Sequence, residues 1–180
     1  MIKSNLNFSS VVNNENLVPI TTLEVIKKLE DPSKILVAEI DPEYSGGFEL
    51  CERYQIDSRY GINCLVAEAK RNNIKTYCAL LVPVGYKYNM SSVVRKQLNA
   101  RMVSVAPLDY VIEQTKMEFG SITPIGLPNE WHIFIDPLTL KEEYIIIGGG
   151  FKTSKLMIPS KLLLQLPNAM ILEGLAKENN

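Results

Sequence analysis

WHIFIDPLTLKEEYIIIGGGFKTSKLMI, residues 131–158, carries three strand patterns in close succession: Trp131 to Ile135, Glu143 to Ile147 and Lys155 to Ile158. The connections between them, opened by Asp136-Pro137 and made by Gly148-Gly149-Gly150, are too short for the helical crossovers that join parallel neighbours. Earlier in the chain helical patterns alternate with strands, so the sequence predicts an α+β fold. The expected form is a single compact domain with a mixed, curved central β-sheet flanked by helices.

Working outward, Thr21 and Glu24 have capping-box spacing, and Ile20 and Val25 can close a hydrophobic staple over the start of a helix. Asp31-Pro32-Ser33 stops that helix, KILVAEI (34–40) reads as a strand, and a short helical pattern covers Phe48 to Tyr54. Ile62 to Glu68 and Ile74 to Val84 form a hairpin pattern around Arg71-Asn72-Asn73. Asn89 to Leu98 reads as a helix, Arg101 to Ser104 as a strand, and Ala106-Pro107 opens another helix. A last helix is expected from Pro159-Ser160 through Leu166. Residues 1–18, rich in Asn and Ser, read as a loosely ordered leader to a domain over 19–170, with 171–180 as a tail.

Composition narrows the function classes. The chain has 180 residues, 46% of them hydrophobic, enough for one sizeable core. A formal charge of -1 rules out a strongly basic chain, and no basic stripe is apparent, so nucleic-acid contact should be local, such as a strand end. Cys51, Cys64 and Cys78 match neither a metal-ligand set nor a disulfide framework, and read as buried thiols of a reducing compartment. No apolar run is long enough for a signal peptide or membrane helix, which points to the cytoplasm and to no membrane partner.

The chemistry is expected in two glycine-rich runs, Gly120-Ser121-Ile122-Thr123-Pro124-Ile125-Gly126 and Gly148-Gly149-Gly150. Such loops can present main-chain amides to a carbonyl or phosphate oxygen. Read alone, Gly120 and Pro124 fit a simple turn, and the triple glycine fits a bulge or tight crossing equally well. His132, the only histidine, reads as a sheet residue and Cys64 as an inert thiol, with no Ser-His-Asp pattern in view. Asn63 cannot act as a base but can hydrogen-bond, and Arg95 and Lys96 fit a solvated helix face.

The stretches SVVRKQLNARMVSVAP (92–107), GSITPIGL (120–127) and YIIIGGG (144–150) leading into LMIPSKLL (156–163), in this order, resemble the YbaK/EbsC and prolyl-tRNA synthetase-associated domains. The resemblance runs from about Ile20 to Ala169 and implies an aminoacyl-tRNA deacylase acting on the acceptor end of mischarged tRNA, with an aminoacyl-tRNA synthetase as a further partner. It implies no metal or other cofactor. Gly120, Ser121, Ile122 and Thr123 would then form the loop whose amides stabilise an oxyanion, while a substrate hydroxyl or water attacks. Asn63, Pro124, Gly148, Gly149, Gly150 and Lys152 would line the substrate site.

Three positions depart from that family's pattern, the first being Gly148, where a serine often precedes the paired glycines. A lysine at the start of the central strand is replaced here by Asn63, and Lys155 stands where an acidic residue is usual. Lys87, Arg95 and Lys152 are the candidate cations to take over the lost charge. The alternative expectation is therefore a catalytically silent module of the same fold that binds a tRNA end, a nucleotide-like ligand or a synthetase.

Overall fold

A computed structural model describes residues 2–178. The strands are β1 (Ser9–Ser10), β2 (Leu36–Glu39), β3 (Ile62–Arg71), β4 (Ile74–Pro83), β5 (Lys87–Tyr88), β6 (Met102–Val105), β7 (His132–Ile135), β8 (Tyr144–Gly148), β9 (Ser154–Pro159), β10 (Ala169–Ile171) and β11 (Ala176–Lys177). The α-helices are α1 (Ile20–Ile26), α2 (Gly47–Tyr54), α3 (Arg95–Gln97) and α4 (Leu108–Thr115).

The α+β class with a mixed sheet stands, and the strands divide into two main parts. One is four-stranded and antiparallel, in the order β1-β2-β9-β8; the other is five-stranded, in the order β10-β7-β4-β3-β6. In the second, β7 runs parallel to both β4 and β10, while β3 runs antiparallel to its two neighbours. A parallel bridge between Gly61 and Ile146 joins the two parts where β3 begins. A small ribbon of β5 and β11 completes the pairing.

Period-two alternation explains how these strands serve three layers. Ile145, Ile147, Leu156 and Ile158 from one sheet meet Ile62, Val66, Ala79 and Leu81 from the other in the main core, which also takes in Leu23 and Ile26 of α1 and Val111 of α4. The opposite face of the four-stranded part, through Ile146 and Met157, packs on Leu50 and Cys51 of α2. The opposite face of the five-stranded part, through Ala67, Cys78, Leu80 and Val82, is covered by Val94, Leu172 and Leu175.

Several local expectations give way to tertiary contacts. Thr21 does not cap α1: the helix starts at Ile20 behind Pro19, and no side chain caps it. Ile20 is 65% exposed, so no staple forms, and the neighbouring Thr22 hydroxyl donates instead to the carbonyl of Ile125 at 2.9 Å. The helix expected over 89–98 divides into a π-turn, Met90–Val94, and the single turn of α3. The last expected helix is a 3-10 helix over Ser160–Gln165. The hairpin is tight, with only Asn72 and Asn73 between β3 and β4, and Asn72 adopts φ 54°, which asparagine tolerates well. Among the described residues no helix is long and apolar enough to cross a membrane.

The segments read as leader and tail are packed parts of the domain. Ser9 and Ser10 pair with Val37 and Leu36, and Val11 is fully buried in the main core. Ile171 and Ala176 lie in strands, and Leu175 is fully buried. Met1 of the expected leader and Asn179 and Asn180 of the expected tail lie outside the described residues. Asn and Ser content misleads here because a few apolar side chains, with Leu6, Val11 and Val18 buried, anchor the segment. Val11→Ala should lower stability in urea unfolding by about 2 kcal/mol. Val12→Ala, next to it but 38% exposed, should change stability by less than about 0.5 kcal/mol.

Candidate active site

The joint between the two sheets leaves a cavity of about 280 Å3. Its walls are the first residues of β3 (Ile62 to Val66), the entry to α2 (Ser45, Gly46, Gly47), Gly120 and Ile122 of the first glycine run, and Ile146 to Gly148 at the end of β8. Val105, Leu108 and Phe119 add apolar surface. Lys155 of β9 is the one charged residue in this lining, among the described residues.

The two glycine runs meet. Glu118 N–H donates to the Gly150 carbonyl and Gly150 N–H donates to the Ser121 carbonyl, both at 2.8 Å. Gly148 lies so close beneath the loop that a Cβ there would stand 2.6 Å from the Ile122 carbonyl oxygen and closer still to that of Ser121. No side chain fits that gap, which is why residue 148 must be glycine if the loop is to keep its place. Gly120 has φ 85°, and a Cβ on it would be 3.1 Å from Ser45 Oγ, so the loop also abuts the entry to α2.

These contacts sort the expected site residues. Gly120, Ile122, Asn63 and Gly148 line the cavity. The amides of Gly120 and Ile122 have no hydrogen-bond acceptor among the described residues. Ser121 N–H is engaged by the Glu118 carbonyl at 3.1 Å, and its buried hydroxyl makes no hydrogen bond among the described residues. Thr123 is fully buried, with its N–H 3.5 Å from Met117 Sδ and its hydroxyl accepting from Ile125 N–H. Ser121, Thr123, Pro124, Gly149 and Gly150 are therefore behind the wall rather than in it. Lys152 stands outside the lining, with Nζ 5.9 Å above the Phe119 ring and its own N–H donating to Glu118 Oε2 at 2.6 Å.

Asn63 lies against the first turn of α2: its Oδ1 is 2.7 Å from the position of a Cβ on Gly47. None of the three candidate cations is among the residues that line the cavity. Arg95 Nε donates to the Ser91 carbonyl at an exposed site, Lys87 lies in the β5–β11 ribbon, and Lys152 stacks on Phe119. Lys155 does line it: 5% exposed, it donates from Nζ to the Ser45 carbonyl at 2.9 Å. Burial lowers its pKa from the ordinary 10.5 to about 8, against a smaller opposing effect from Cys51.

Sequence reading singled out Lys155 as a departure without placing it in the site, and missed Ser45, Gly46 and Gly47. The signal for the latter was a third glycine pair, Gly46-Gly47, immediately before the helical pattern. Cys64 lines the cavity, but burial pushes its thiol up to about 12, so it is no nucleophile at neutral pH. His132 stacks on Phe134 with ring centroids 5.6 Å apart and is not among the lining residues. Among the described residues no three His, Cys, Asp or Glu side chains gather closely enough to hold a metal ion.

Residues 47–166 match the family model of the aminoacyl-tRNA editing domain. Two solved structures share the fold. The hypothetical protein APE2540 is 16% identical with a TM-score of 0.74, over 87% of this chain and 99% of its own. A candidate trans-editing enzyme for prolyl tRNA synthetase is 15% identical with a TM-score of 0.73, over 90% of this chain and 99% of its own. No curated protein matches the chain.

A buried lysine with a lowered pKa costs stability while both folded and unfolded chains are protonated, which holds below about pH 8. That cost disappears as pH rises from about 8 towards 10.5, because the folded chain releases its proton first. Lys155→Met should therefore stabilise the protein at pH 7 by about 1–3 kcal/mol. Paired urea titrations should show the gain shrinking steadily between pH 8 and pH 10.

Proposed function

The chain belongs to the aminoacyl-tRNA editing domain family, and on that premise we propose that it hydrolyses the ester linking a mischarged amino acid to the 3' end of tRNA. The observation that carries the reading is the pair of acceptor-free amides, Gly120 and Ile122, on the wall of an otherwise mostly apolar cavity. Donors fixed by the fold need no reorganisation when charge develops on a carbonyl oxygen, and one such donor is worth roughly 10²–10³ in rate.

In the proposed reaction the ester carbonyl oxygen faces these two amides. Water attacks the carbonyl carbon directly, or a hydroxyl of the terminal ribose attacks first and takes the acyl group as a new ester, which water then cleaves in the same way. The carbon–oxygen bond to the ribose then breaks, and the departing ribose oxygen takes the proton lost by the nucleophile. The protein supplies position and electrostatics, consistent with a cavity whose thiol is held protonated and whose asparagine is no base. Asn63 is assigned a polar contact with substrate, and Gly148 the clearance that sets the loop. Ser121, Thr123, Pro124, Gly149 and Gly150 are assigned to shaping that loop from behind, and Lys152 to the mouth. The proposed setting is trans-editing in the cytoplasm, on the acceptor end, with a synthetase as partner.

Asn63 favours a second reading, in which the module binds the acceptor end without cleaving it, because the family's usual lysine is absent. Purified protein and a panel of mischarged tRNAs separate the two. Deacylation above buffer supports the enzyme, and none for any tRNA at high protein concentration contradicts it. Binding by an inert wild type, with hydrolysis gained in Asn63→Lys, would establish the silent module. For the active enzyme, Ile122→Pro removes one amide donor without removing an internal hydrogen bond. It should lower kcat by about 10²-fold with thermal melting largely kept.

A further inference from the structure

Among the described residues, the buried charge at the cavity has no counter-ion. Lys155 is 5% exposed, and its ammonium finds one acceptor, the Ser45 carbonyl, for its three donors. No carboxylate lies within 4.0 Å of it among the described residues. Asp136 and Glu68, also buried among the described residues, are treated differently by the fold: Asp136 accepts from the amides of Leu138 at 2.9 Å and Ala176 at 2.7 Å, and Glu68, 2% exposed, is held by Lys70 at 2.7 Å, Lys75 at 3.1 Å and the Tyr77 hydroxyl at 2.8 Å. Buried charges in stable proteins are paired or hydrogen-bonded in this second way. A lone one on a cavity wall is half of a pair.

Main-chain donors lie on the same wall. Gly46 caps α2 without a side-chain bond, so the first turn of this eight-residue helix directs its free amides, and the positive end of its dipole, to the wall that Lys155 shares. Exposed Glu49 sets its carboxylate against Gly46, but it makes no ion pair with Lys155. The rest of the lining is uncharged, including Leu50, Ile62, Val66, Val84 and Ile146. With so little of Lys155 exposed, a group that meets it must enter the cavity rather than pass across the mouth.

We propose that the cavity accepts an aminoacyl group whose side chain carries a carboxylate, read by the Lys155 ammonium together with the amides at the start of α2. The adenosine part of that ligand rests on the editing reading above; the carboxylate part does not. A charge-assisted pair discriminates strongly against a neutral isostere, because the isostere leaves the ammonium unpaired.

Two probes test the proposal and keep it apart from the editing reading. Thermal melting of wild type in succinate, against succinamide at matched ionic strength, should show a rise in midpoint with succinate alone, absent in Lys155→Met. Calorimetry with non-hydrolysable 3'-aminoacylamino-3'-deoxyadenosines should give at least about tenfold tighter binding for the aspartyl than the asparaginyl compound. That ratio should fall to about one in Lys155→Met, whose folding the same melts verify. If succinate acts selectively but neither adenosine compound binds, the carboxylate site stands and the editing reading fails. If both adenosine compounds bind equally well in wild type, the carboxylate inference is overturned while the editing reading survives. No selectivity in either experiment overturns it as well.

Discussion

The approach of Gly148 to the carbonyls of Ser121 and Ile122 is the constraint on which the site depends. β8 ends there, at the joint of the two sheets, and any Cβ would overlap main-chain oxygen. Main chain cannot move aside as the tip of a long side chain can, so a larger residue would push the loop out of register. With the gap kept closed, the Glu118–Gly150 and Gly150–Ser121 hydrogen bonds tie the loop to the end of the sheet. The loop's own bonds use the amide of Ser121 and leave those of Gly120 and Ile122 without acceptors among the described residues. The donor geometry is thus a by-product of packing, not of a catalytic side chain.

A second constraint is electrostatic. The fold neutralises Glu68 with two lysines and a tyrosine, yet leaves Lys155 at the cavity with a single carbonyl. An apolar residue of similar length would suit the α2 interface better in the free protein. Local cost of this kind is characteristic of binding sites, where the compensating partner arrives with the ligand.

Much of the architecture was legible because it is written in short-range pattern. The turns between the later strand patterns, too short for helical crossovers, pointed to the run that holds the β8–β9 pair, and the polar Arg71-Asn72-Asn73 stretch marked the hairpin. The glycine runs pointed to the right loops. What stayed hidden depends on contacts far apart in the chain. Thr22 gave no local hint that it would bond Ile125 rather than take part in capping. Nothing within residues 1–18 foretold that Val11 would enter the core. In the loop, hydroxyl residues Ser121 and Thr123 drew attention, whereas the structure buries them and leaves apolar Ile122 with the available amide. Lys155 was visible only as an oddity, because its distance from Ser45 is set by the crossing of β9 and α2.

The central claim is that main-chain amides of the 120–122 loop receive the reacting carbonyl. Amide-resolved NMR titration with a non-hydrolysable aminoacyl-adenosine tests it most directly. The account predicts that the Gly120 and Ile122 resonances move most, downfield as their N–H groups gain an acceptor, with smaller changes at Gly46 and Gly47. Shifts concentrated on the outer face of the five-stranded sheet, around Val94 and Leu175, with Gly120 and Ile122 unmoved, would contradict it.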